Sequence, residues 1–110
     1  MSRAALYVGM GQPYAIRFDV DKSDDFDPSL PTGATFHITK PDNTETTFAA
    51  SLADQSADAV SAVHLLTASD LDMKGTWRAW VQWTVPGETP GPRTEVLSFQ
   101  VLAKDQVKGA

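Results

Sequence analysis

Few residues in this 110-residue chain have the type and spacing that chemistry requires. The densest group is acidic. Asp19, Asp21, Ser23 and Asp24 fall at intervals that match the opening of a calcium loop, since a hard cation needs several oxygens from a few neighbouring residues. The match then fails. The sixth position needs glycine and holds Asp24, and the twelfth needs glutamate and holds Leu30. Residues 19–27, with Asp25 and Asp27, therefore read as a solvated acidic loop, and no metal or other cofactor is expected.

His37 and His64 are the only candidate general bases. His37 is opposite in phase to Phe36 and Ile38, which places it outward, while His64 can face either way. No serine has the setting of a nucleophile elbow, and Gly9-Met10-Gly11 lacks the strand and helix that flank a phosphate loop. No catalytic residue is assigned, and the chain is not expected to be an enzyme.

The third candidate is Trp80. From Gly75 the chain alternates, with Trp77, Ala79, Val81 and Trp83 on one face and Arg78, Trp80 and Gln82 on the other. Alternate side chains point to opposite faces of a sheet, so the first set is the expected core face. An outward tryptophan beside an arginine has the composition of a binding hot spot. Four readings stay open: it anchors a protein interface, it covers a loop, the strand register is shifted by one so that Trp80 is the buried residue, or it stacks on a sugar ring. The candidate interface is Trp80, Arg78 and Gln82, together with Pro86, Pro90 and Pro92 of the following loop.

The remaining sequence supplies strands to hold that face. Ala4–Val8 reads as a short first strand, broken by Gly9-Met10-Gly11. Tyr14, Ile16, Phe18 and Val20 alternate within Pro13–Val20. Phe36 and Ile38 mark a strand over Gly33–Lys40, and Pro41-Asp42-Asn43 then has the composition of a three-residue hairpin loop. Thr44–Ala50 returns, and Ser51–Ala57 reads as a polar connection. Ala59–Leu66 is a strand of ambiguous phase, either Val63 and Leu65 or Ala62, His64 and Leu66 facing inward. Thr67–Leu71 reads as one helical turn, with Thr67 as N-cap and Asp70 as a short-armed capping box. Val85–Pro92 is a loop rich in proline and glycine. Arg93–Leu102 closes the sheet, with Leu97, Phe99 and Val101 inward. About seven short strands without an amphipathic helix predict an all-β, immunoglobulin-like antiparallel β-sandwich, with a small barrel as the alternative. One domain is expected over 1–102, followed by a polar tail over 103–110.

Composition narrows the partners. The formal charge of −5 argues against nucleic acid and against an anionic membrane surface. With no cysteine there is neither disulfide nor thiolate metal site, which suits a reducing cytoplasm. The apolar run at the N-terminus is too short for a signal peptide, and no run approaches bilayer length.

Three motifs, in order, carry a resemblance: Gly33-Ala34-Thr35-Phe36-His37-Ile38-Thr39-Lys40-Pro41-Asp42-Asn43, then Leu66-Thr67-Ala68-Ser69-Asp70-Leu71-Asp72, then Gly75-Thr76-Trp77-Arg78-Ala79. Over Tyr14–Leu102 the chain resembles the immunoglobulin-like N-terminal domain of phage baseplate upper proteins and related small phage virion proteins. It departs from them in the Asp-rich loop, the extra tryptophans and the long proline-rich loop. The resemblance implies assembly rather than catalysis. The chain would dock onto other phage structural proteins (capsid, connector or tail), often as several copies, after synthesis in the bacterial host cytoplasm. Its ending after one domain points to an accessory or decoration protein of the virion rather than a baseplate hub. The alternative is a carbohydrate-binding adhesion module on a virion or cell surface.

Overall fold

A computed structural model of the chain describes residues 6–11, 14–89, 91–94 and 96–103. Pro90, Pro13, the expected strand residues Ala4 and Ala5, and the expected tail past Ala103 lie outside the described residues. In chain order the strands are β1 (Leu6–Tyr7), β2 (Ala15–Asp21), β3 (Gly33–Thr39), β4 (Glu45–Ala53), β5 (Ala59–Leu65), β6 (Gly75–Thr84) and β7 (Leu97–Leu102). They pair in the order β1-β7-β6-β3-β4-β5-β2. Strand β4 changes partner along its length: Glu45–Ala50 pairs with β3, and Ser51–Ala53 pairs with β5. The sheet thereby curls into two layers, β1-β7-β6-β3 and β5-β2, joined through β4. This is an immunoglobulin-like sandwich order.

Alternation decides which side chains meet between the layers. Phe36, Ile38, Trp77, Ala79, Val81 and Trp83 are at most 1% exposed, so the expected core face of β6 is the observed one. The ring of Phe18 on β2 meets Phe36 edge-on at 5.4 Å across the sandwich. The Trp77 indole N–H, which would be costly to bury unpaired, donates to the Met73 carbonyl at 3.0 Å. The hairpin loop 41–43 forms as its composition predicts. Asn43 takes the left-handed conformation (φ 67°), and the Lys40 amide donates to the Thr44 carbonyl at 2.9 Å. Gly75, at φ 131°, opens β6 against Pro41, where an added Cβ would lie 2.8 Å from the proline ring. Only glycine fits there.

Several expectations are corrected. Residues 67–71 form a hydrogen-bonded turn, and no helix occurs among the described residues. The shortfall is physical, since one Thr67–Asp70 backbone bond does not propagate. Strand β1 runs parallel to β7, unlike the other pairings, which are all antiparallel. Residues 51–53 belong to β4 and are not a connection, because there the strand leaves β3 and pairs with β5, with Leu52 packed against the core. The phase of β5 resolves in favour of Ala62, His64 and Leu66, joined by Val60. Finally, Leu97 is 51% exposed although Val101, in the same phase, is buried. Beside Leu97 the sandwich stands open. A cleft there runs between β2 and β7, lined by Ile16, Phe18, Val20, Phe26, Leu97 and Phe99.

Candidate functional site

The candidate interface lies on the outer face of β6 and is held by its neighbours. β6 pairs with β3 so that Trp80 is directly opposite His37. Directly opposed side chains on one face are close enough to touch. The two rings stack with centroids 4.0 Å apart and planes 5° from parallel. From the other flank Arg93, whose backbone bridges to Gln82, places its guanidinium carbon 5.2 Å from the centre of the Trp80 ring. Trp80 is thus outward, as its phase requires, but only half-exposed. Its faces are taken by His37 and Arg93, and its edge is what it presents.

The other candidate residues divide. Arg78 is exposed on the same face, in register between Thr39 and Ser98. Gln82 is tied down: its side-chain amide donates to the carbonyls of Gly91 and of Pro92, the latter at 3.3 Å. Pro92 is in turn part of the platform's edge, its carbonyl accepting from the Trp83 amide at 2.9 Å. Gly91 lets the loop come this close, since a Cβ there would sit 2.2 Å from the Trp83 carbonyl oxygen. Pro86 is exposed at the loop tip. Alternation placed Trp80 and Arg78 on one face, as the register has them, but did not pair Trp80 with His37 or Arg93. The phase of His37 was readable; its register against Trp80 was not.

His64 proves to be a structural pin. Its Nδ1 lies 2.8 Å from the Ala49 carbonyl, its Nε2 lies 2.7 Å from the Asp70 carboxylate, and its ring stacks on Phe48 at 4.6 Å. Both nitrogens face hydrogen-bond acceptors, so the ring is held from both ends. Burial pushes the Asp70 carboxyl up, but the Thr67 amide at 2.8 Å, His64 and the Thr67 hydroxyl outweigh it and hold Asp70 below the usual carboxylate range. The Thr67–Asp70 half of the capping box thus exists without its helix.

The acidic segment is anchored rather than loose. Phe26 turns inward against Trp83, with centroids 5.4 Å apart. Gln55 donates to the carbonyls of Pro28 and Pro31 at 3.0 and 2.8 Å. Asp27 accepts from the Ser29 hydroxyl at 2.6 Å and its amide at 3.0 Å, which lowers its pKa. Asp19 leaves the loop altogether. The Ser61 hydroxyl, donating at 2.5 Å, and Arg17 at 2.7 Å hold its carboxyl below the usual range. Arg17 also reaches Asp54 at 2.6 Å. Among the described residues no three His, Asp or Glu side chains converge as a metal site would require.

Fold and face together define the class: an immunoglobulin-like β-sandwich with a fixed aromatic and cationic platform on one sheet. Comparison with protein-family models, curated proteins and solved structures finds no match to this chain.

Proposed function

We propose that the chain is a phage virion structural protein, an accessory or decoration module that docks onto head, connector or tail proteins. The observation that carries the docking face is the Arg93–Trp80–His37 stack. An aromatic held between two partners loses little side-chain freedom on binding, so its contacts are not offset by an ordering cost. The order of motifs over Tyr14–Leu102 supports the virion setting. Sugar stacking would need an open ring face, and His37 and Arg93 occupy those of Trp80. That favours a protein partner over a glycan, and binding of the free chain to a glycan array would reverse the preference.

The test is quantitative mass spectrometry of purified particles from the phage or prophage that encodes the chain. A copy number near that of the major capsid protein identifies a head decoration protein, and one in the range of portal or baseplate proteins identifies a connector or tail accessory. Absence from the particle overturns the proposal. Within it, Trp80→Ala should fold and lose particle occupancy; wild-type occupancy would move the docking face elsewhere.

A further inference from the structure

Strand β2 pairs with β5 on one side, and among the described residues no strand pairs on its other side. The direction of its backbone groups follows from its ends. The Leu66 amide donates to the Tyr14 carbonyl at 3.0 Å, and the Lys22 amide donates to the Asp58 carbonyl at 2.8 Å. In an antiparallel ladder the hydrogen-bonded residues alternate. Even-numbered residues of β2 therefore point their amides and carbonyls at β5, and Ala15, Arg17, Asp19 and Asp21 point theirs at the free edge. The same four residues are exposed. Their even-numbered neighbours Ile16, Phe18 and Val20 face the open cleft against Leu97 and Phe99.

We propose that this edge pairs with β2 of a second copy of the chain, antiparallel about a two-fold axis at Phe18. The sequence of the strand is self-complementary in that register and in no adjacent one. With Phe18 opposite its own counterpart, the Arg17–Asp19 pair, which within each copy also holds Asp54 and Ser61, faces the same pair reversed: Arg17 lies opposite Asp19 of the other copy, Ile16 opposite Val20 and Ala15 opposite Asp21. A shift one way sets Arg17 against Arg17, and the other way Asp19 against Asp19, and like charges directly opposite are destabilising. The backbone agrees with the side chains. The odd-numbered pairs are the ones whose amides and carbonyls are free, so the register forms about eight inter-chain hydrogen bonds, two for each odd pair. The axis then falls at a non-hydrogen-bonded pair, where side chains approach most closely, and there the two Phe18 rings meet. Each copy brings Ile16, Phe18 and Val20 to the mouth of the other's cleft. A two-fold interface needs one patch that complements itself, and an unpaired edge is a template for such pairing.

The experiment measures self-association of the purified full chain by sedimentation, with near-ultraviolet circular dichroism of the tryptophans as the check on folding. The wild type should dimerise reversibly. Arg17→Asp alone sets Asp against Asp, and Asp19→Arg alone sets Arg against Arg, so each should weaken the dimer by about tenfold or more. Mixed in equal amounts they should form a heterodimer, because both rungs between positions 17 and 19 then pair opposite signs. Asp21→Pro removes an outward amide at an edge position that tolerates proline, and should give a folded monomer. A wild type that stays monomeric up to about 1 mM overturns the proposal. So does a dimer that Asp21→Pro leaves intact, or a mixture of the charge variants that fails to associate. The measurement needs no particle, so its failure would leave the virion reading untouched.

Discussion

The two faces of β6 carry the same kind of residue and hold it by different means. On the inner face Trp77 and Trp83 are at most 1% exposed and are fixed by apolar packing from both layers. On the outer face Trp80 is fixed by two side chains, one stacked from β3 and one reaching in from Arg93. Removing an inner tryptophan opens a hole in a close-packed interior, whereas removing the outer one exposes two surface groups to water. The inner face therefore carries most of the stability, and the outer face contributes less to it.

The largest effect should follow from breaking the inner face. Trp77→Ala should cost about 3–5 kcal/mol in denaturant unfolding, the usual range for a large buried aromatic. A loss under about 1 kcal/mol would mean that Trp77 is not a core residue. Next comes the point where β6 begins. Gly75→Ala should cost about 1–3 kcal/mol, because the residue has positive φ and the new Cβ meets Pro41. The outer face should respond less. A double-mutant cycle between His37→Ala and Trp80→Ala should give a coupling of about 0.5–1.5 kcal/mol, the range for a stacked pair. Zero coupling would show that the stack does not form in solution.

The smallest effect concerns pH. The folded pKa of Asp70 lies below its unfolded value, so its contribution is fully present above about pH 4 and is lost as pH falls through the lower, folded value. Asp19, Asp27 and Asp42 shift in the same direction, each held by hydrogen bonds. Asp70→Asn should flatten the acid limb of the stability profile while Trp80→Ala leaves its shape unchanged. An unaltered acid limb in Asp70→Asn would remove Asp70 from the account.

What the sequence disclosed, and what it hid, follows the same division. Trp77, Ala79, Val81 and Trp83 were legible because a strand buried on one face has a period of two. The 41–43 loop was legible because a left-handed Asn at its end has few alternatives. The phase of β5 was not, since the apolar Val63 and Leu65 stand in the outward phase while the polar His64 stands in the inward one, held there by Ala49 and Asp70. Leu97 misled for a different reason: its phase is inward, but the layers part beside it. His37 and Arg93 could not be assigned to Trp80 from spacing alone, because cross-strand partners depend on register and not on distance along the chain.

The parallel pairing of β1 with β7 bears on how the chain would carry mechanical load. The polypeptide enters β1 at Leu6 and leaves β7 at Leu102, and the two strands run side by side in the same direction. Tension between the two ends therefore pulls these neighbours past each other along their length. Their hydrogen bonds, with the Val8 amide donating to the Leu102 carbonyl at 2.9 Å as the next rung, are strained together rather than unzipped singly. A module tethered at both ends would resist pulling first through this short clamp, and the tryptophan core would be exposed only after it had slid apart.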